Sequence, residues 1–226
     1  IKKLIYILNK KEIELQFISS SENIAWLLNI RGKDSKFTPI PNAYLTLDIN
    51  KKINLFCNLN KVKNSFKKKF KNIKFVDIKY TDLFLSKIRN KKILIDSSSC
   101  SIYFENILKK SNKINEFVDP IYFLKSIKSR KEIKNTIKSH IYDGVALTKF
   151  LFWLKKNYKK QNVNEISAQE KLFKYRKKNK NFKFSSFPTI SGSGPNGAII
   201  HYKASKKSNR KLRKGDIYLV DSGGQY

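Results

Sequence analysis

The longest regular pattern of apolar positions in the chain is helical. Ile133, Ile137, Ile141, Val145 and Phe152, with Leu147 and Leu151 beside them, recur at three- and four-residue spacing, the period of one face of an α-helix. Ser129-Arg130-Lys131-Glu132 precedes them with the spacing of a capping box, so one amphipathic helix is expected from there to about Tyr158. Ser167 and Glu170 have the same spacing and predict a second helix to about Lys177. The pattern then changes to strands and tight turns: Ser185 to Phe187, a glycine cluster from Gly192 to Gly197, Ala198 to Tyr202, and Ile217 to Val220.

The first half alternates. Glu14-Leu15-Gln16-Phe17-Ile18 reads as a short strand, and Ser19 with Glu22 predicts a capped helix after it. That helix would turn Ile24, Trp26, Leu27 and Leu28 inward and end near Gly32. Ala43 to Leu47 and Ile53 to Cys57, separated by the polar stretch Asp48 to Lys52, form a hairpin signal. Further strands are expected over Ile73 to Ile78 and Lys92 to Asp96, and helices over Tyr80 to Arg89 and Ser101 to Leu108. This alternation favours an α/β domain over residues 1–118. A boundary is expected at Asp119-Pro120, because proline disfavours helix in the residue before it. Residues 119–226, helix first and sheet second, read as α+β.

Composition changes the picture in one respect. A formal net charge of +32 over 226 residues raises the prior for nucleic acid or an anionic membrane. The lysines, however, are spread through nearly every segment together with abundant asparagine and isoleucine, as an AT-rich coding sequence would give. The runs at Lys67 to Lys69, Lys177-Lys178 and Lys206-Lys207 are short. A basic nucleic-acid-binding protein is therefore the competing reading, and nucleic acid is not the expected partner. Cys57 and Cys100 make neither a disulfide framework nor a zinc spacing, so a reducing, cytoplasmic setting is the default. No apolar run reaches the roughly 18 residues that span a bilayer, and no membrane partner is expected. The chain contains no methionine, and the run from Asp216 to Asp221 stops at Tyr226 without a closing element. Both ends are expected to be cuts, and a targeting segment upstream stays open.

Three features invite chemistry. Gly192-Ser193-Gly194-Pro195-Asn196-Gly197 satisfies G-x-G-x-x-G, but a dinucleotide site needs a helix directly after it. Here β-branched and aromatic residues follow, so the glycines are expected to shape a loop between strands. His201 ends the expected Ala198 to Tyr202 strand and is either a hydrogen-bonded structural residue or part of a site; His140 on the long helix reads as a partly buried structural residue. Asp221 ends a strand next to Gly223-Gly224, where a carboxylate needs a cation or hydrogen-bond donors. A metal ion and the backbone amides of the two glycines are both candidates.

Taken together, three stretches resemble a known family. Phe187 to Tyr202, with Phe187-Pro188-Thr189-Ile190-Ser191-Gly192 at its start, closely resembles the loop-strand segment of eukaryotic-type aminopeptidase P, in the pita-bread metallopeptidases. Asp216 to Tyr226 looks like the start of that family's first metal-ligand motif, with Gly224 where alanine is common. Asn23 to Gly32 is similar to the middle domain of its three-domain members. The resemblance covers almost the whole chain, most weakly Asn50 to Phe117, and it implies a creatinase-N-like α/β middle domain followed by an incomplete α+β pita-bread domain.

By that similarity Asp221 would be the first protein ligand of two divalent metal ions, manganese or zinc, and His201 would line the substrate site; no other catalytic residue is carried over. The implied activity is removal of the N-terminal residue from peptides with proline second, and a homodimer is compatible with it. In the family the second aspartate, eleven positions beyond Asp221, the ligand histidine and two glutamates lie C-terminal to the stretch present here. A catalytically dead family member used for binding is the remaining alternative. One ligand cannot hold two ions, so the 226-residue chain by itself is expected neither to bind the metals tightly nor to turn over an Xaa-Pro peptide. A peptidase assay with added manganese checks this, and turnover at the rate of intact enzymes would refute it.

Overall fold

The computed structural model describes residues 1–159 and 162–226, and the chain forms two compact units, Ile1–Ile127 and Lys128–Tyr226. In the first unit, α1 (Lys2–Lys10) precedes β1 (Leu15–Ile18), α2 (Ser21–Leu27), β2 (Ala43–Asp48), β3 (Ile53–Cys57), α3 (Asn64–Lys69) and β4 (Ile73–Asp77). Then come α4 (Thr81–Leu85), β5 (Lys92–Ile95), α5 (Ile102–Lys109), β6 (Lys113–Glu116) and α6 (Pro120–Ser126). The six strands make one sheet in the order β4-β3-β2-β1-β5-β6. All neighbours pair in parallel except around β2, which runs antiparallel to both β1 and β3. The expected hairpin is present, with Ala43 opposite Cys57 and Leu47 opposite Ile53, and Lys51 takes a left-handed conformation in its turn (φ 66°).

Alternation along the strands sends side chains to two apolar clusters. Ile18, Leu45, Leu47, Ile53 and Leu55 pack with Leu4, Ile24 and Ile121 of α1, α2 and α6. Phe17, Ile93 and Ile95 pack with Leu85 and Leu108 of α4 and α5. Such a sheet, covered on both faces, reads as continuous apolar runs, which is why β3 and β5 were legible.

Several expected boundaries move. The helix after β1 is capped at Ser20 without a side-chain bond, so the Ser19 capping box does not form. Asn29 (φ 50°), not Gly32, takes the left-handed position after it. The helix expected over Tyr80 to Arg89 is shorter, α4 covering only Thr81–Leu85, with a 3-10 turn over Ile78–Tyr80 before it. The break between units falls after Ile127, later than Asp119-Pro120. Asp119 caps α6, accepting from the Ile121 amide at 2.9 Å, with proline in its favoured place in the first turn. Its carboxylate also accepts from Gln16 Nε2 (2.8 Å) and Asn23 Nδ2 (2.7 Å), and its own amide donates to Asp96 Oδ2 (2.8 Å). Proline here starts a helix that closes the first unit. Burial raises the Asp119 carboxyl above the ordinary aspartate range, opposed by the bonds from Ile121, Asn23 and Gln16.

In the second unit the Ser129 capping box forms with both reciprocal bonds and opens α7 (Arg130–Asn157). The face it covers differs from the expected one. Ala146 and Phe150 are buried, whereas Ile133, Ile137, Ile141, Val145, Leu151 and Phe152 are exposed, and His140 lies exposed on the same helix with Nδ1 2.9 Å from Thr136 O. Next come α8 (Glu165–Lys177), β7 (Phe184–Ser185), β8 (Ile190–Ser193), β9 (Tyr218–Asp221) and β10 (Gly224–Gln225). β8 pairs antiparallel with β9 and β7 with β10. The cap of α8 lies three residues before the expected one: Asn164 is the cap and Ser167 completes the box from inside the helix. No helix among the described residues is long and apolar enough to cross a membrane.

Replacing Asp119 with Ala strands three buried donors, each costing on the order of 1–3 kcal/mol when left unpaired. The expected outcome is a loss of about 3 kcal/mol in the first unit, read by urea denaturation on the fluorescence of Trp26. A loss below about 1 kcal/mol would show that the network carries little of the fold.

Candidate functional site

The glycine-rich segment is held by one carboxylate. Glu165, the first residue of α8, is fully buried. Its Oε1 accepts from the Ser193 amide (2.8 Å) and Asn196 Nδ2 (3.0 Å), and its Oε2 from the Tyr202 hydroxyl (2.8 Å) and the Arg210 amide (2.9 Å). Burial alone would raise the Glu165 pKa, but the donors, led by the Arg210 and Ser193 amides, hold it below the ordinary glutamate range. The chain therefore leaves β8 at Ser193, makes a 3-10 turn over Gly194–Ala198 and folds around Glu165. The expected Ala198 to Tyr202 strand does not form, because Asn196 and Tyr202 are drawn to the same buried acid. Gly192 is required by contact: a Cβ there would lie 2.9 Å from Asn196 O and from the Gly197 backbone. Gly194 is required by conformation (φ +57°). With no α-helix after the glycines, the dinucleotide reading has no support.

His201 is placed by this turn rather than by a strand end. It is exposed and left-handed (φ 55°), a conformation in which histidine is enriched among non-glycine residues. Ile199 and Ile200 beside it are 53% and 85% exposed, so the imidazole stands on a projecting apolar turn.

Asp221 ends β9 opposite Ile190. Its side chain is exposed and has no hydrogen bond or ion pair among the described residues; the Gly223 and Gly224 amides do not cap it. A free carboxylate at a strand end suits a hard divalent cation, which prefers oxygen ligands, and to that extent the donor chemistry fits a metal. No cluster of three or more His, Cys, Asp or Glu suited to a metal ion occurs among the described residues.

The strand after Asp221 is anchored by a pair that sequence reasoning missed. Arg176, 2% exposed, donates from Nε and Nη2 to the two oxygens of Asp143 at 2.7 and 2.8 Å, a bidentate pair between α8 and α7. Arg176 also donates to Ser222 Oγ (3.2 Å), and the Tyr226 hydroxyl donates to Asp143 Oδ1 (2.7 Å). Burial raises the Asp143 pKa, and the bonds from Arg176 and Tyr226 outweigh it, leaving it below the ordinary value. The only sequence signal was an arginine on the apolar side of a helix otherwise rich in lysine.

Residues 1–132 match the model of the Creatinase/Prolidase N-terminal domain, and residues 134–226 that of Metallopeptidase family M24. The chain belongs to the creatinase/prolidase family. Its first unit is the family's α/β N-terminal domain, and its second has the fold of part of a pita-bread M24 domain. Over 97% of its length the chain is 39% identical to Xaa-Pro aminopeptidase ApepP of Drosophila melanogaster, covering 36% of that protein. It is 36% identical over 97% of its length to Xaa-Pro aminopeptidase 1 of Dictyostelium discoideum, covering 35% of it. The chain thus spans about a third of the length of these curated relatives. The whole chain superposes on 38% of an X-prolyl aminopeptidase from Caenorhabditis elegans, described as a cytosolic enzyme with a di-nuclear active site, with a TM-score of 0.91 at 24% identity. It superposes on 60% of the prolidase from Pyrococcus horikoshii with a TM-score of 0.73 at 24% identity; at these identities the likeness concerns the fold.

The two depressed carboxyls give the second unit an acid limit. A folded-state pKa below the unfolded value contributes stability that is full above the unfolded pKa, about 4, and disappears as pH falls through the folded pKa. Urea midpoints followed on Trp153, in the core of the second unit, are expected to fall steeply below about pH 4 and to fall less in Glu165→Gln. Equal slopes would show that Glu165 is not responsible.

Proposed function

We propose that the protein carrying this chain is a metal-dependent Xaa-Pro aminopeptidase, which hydrolyses the bond after the N-terminal residue of peptides with proline in second place. The observation that carries the reading is the unshared Asp221 carboxylate at the end of β9, in a chain alignable over 97% of its length with relatives named Xaa-Pro aminopeptidase. Asp221 supplies one oxygen ligand of a two-metal site, with manganese the first choice and zinc the second. When bound, divalent ions would supply Lewis acidity there, activating a water as nucleophile and polarising the scissile carbonyl.

The remaining work falls to the chain. Glu165 fixes the turn that presents His201, which lines the peptide site and donates from its imidazole toward the oxygen where charge develops. Exposed Ile199 and Ile200 offer an apolar wall to the proline ring, which has no N–H to satisfy. The Asp143–Arg176 pair holds Ser222 and Tyr226, and so fixes the segment that follows Asp221. The substrates are peptides beginning Xaa-Pro, the setting is the cytosol, and a homodimer accords with the fold.

The test is Asp221→Asn in the protein containing the complete M24 domain. Hydrolysis of an Xaa-Pro peptide is expected to fall by about 100-fold or more, with metal content measured by mass spectrometry falling alongside. His201→Ala is expected to lower turnover while leaving metal content intact. Unchanged turnover and metal content in the Asp221 variant would overturn the proposal.

A further inference from the structure

The first unit contains a cavity of about 700 Å³ bounded by β2, β3 and β4 and by the segment that carries α3. This lies within the range in which proteins enclose small organic ligands. Its wall is apolar, formed by Leu55, Val62, Phe66 and Phe75, with the buried Cys57 among them. Its rim is cationic: Arg31, Lys33, Lys63 and Lys69 all border the opening, and none of the four forms an ion pair among the described residues. The one acid at the rim, Asp34, is already engaged by Lys61 and by the Asn42 amide (2.8 Å). The Lys61 ammonium, and then that amide, hold its carboxyl below the ordinary aspartate range.

We infer that this cavity binds a small amphiphilic anion, an acid headgroup on an unbranched apolar tail, with the tail against Leu55, Phe66 and Phe75 and the head at the cationic rim. An inorganic anion would leave the apolar wall unused, and a neutral or cationic amphiphile would leave four like charges crowded at the mouth. Nucleic acid presents a row of phosphates, whereas this is a single concave pocket. Arg31 is suited to receive the head. One guanidinium nitrogen is tied to the Ile30 carbonyl (2.9 Å) and reaches that of Ala25 (3.4 Å), so its remaining N–H groups form a pre-oriented fork for a carboxylate.

Decanoate below its micellar concentration is the probe, titrated calorimetrically into the 226-residue chain with acetate and decyltrimethylammonium as controls. Decanoate is expected to saturate at one per chain, with both controls weaker by about tenfold or more. The exposed pair Lys63→Gln/Lys69→Gln is expected to weaken it about tenfold, while Lys177→Gln/Lys178→Gln, the same charge change in the second unit, leaves it within about twofold. Bound decanoate should also slow alkylation of Cys57 while sparing Cys100, which packs in the other cluster of the sheet. Binding without saturation, equal loss in the two double variants, equal binding of decyltrimethylammonium, or unprotected Cys57 would each overturn the inference. No peptidase turnover enters the readout, so the result is independent of the aminopeptidase reading.

Discussion

Glu165 puts a carboxylate where water does not reach it, and the desolvation of that charge is offset by donors drawn from four separate places in the second unit. Removing any one donor leaves a buried anion short of a partner, so the segment from Ser193 to Arg210 is fixed by the acid more than by its own backbone preferences. That explains how eighteen residues with little regular structure can still present a histidine in a defined, left-handed conformation. The precision of the turn is that of a helix terminus, because the acid sits on the first residue of α8.

The Asp143–Arg176 pair works on a different principle. Its two charges neutralise each other across two helices, and the geometry, two parallel N–H to oxygen bonds, sets the helices' mutual register. Ser222 and Tyr226 then attach to groups that are already ordered. In the first unit Asp119 plays the comparable part, joining α6 to β1 and α2 through Gln16 and Asn23. In each case a carboxylate that pairs with no exposed lysine ties distant segments together, in a chain with 49 basic and 17 acidic residues. Acids being scarce, those placed inside do architectural work.

Elements whose signal is local were legible in the sequence. The hairpin of β2 and β3, the capping box at Ser129 and the strand at Lys92–Ile95 depend on neighbours a few residues away, and they form as expected. What was not legible depends on contacts far apart in the chain. α1, α3, β6 and α6 are short and gain their stability from packing. Ala198 to Tyr202 has strand composition, but Glu165 lies more than thirty positions away and redirects it. Asp221 was recognisable as a strand-end acid, and coordinates were needed to see that the amides of Gly223 and Gly224 leave it uncapped. His201 was visible as a residue, whereas its conformation came from the carboxylate beneath the turn.

The aliphatic stripe along α7 gives the high charge a second meaning. Ile133, Ile137, Ile141 and Val145 stand about half exposed in one row, a surface that favours self-contact, on a chain whose +32 charge keeps copies apart. Raising ionic strength from about 0.01 M to about 0.15 M shortens the reach of that repulsion from about 30 Å to about 8 Å, and leaves the drive to cover aliphatic surface intact. Salt therefore loosens this chain's hold on any polyanion and at the same time lowers the barrier between its own copies, so its colloidal stability and its freedom from adventitious nucleic acid pull in opposite directions.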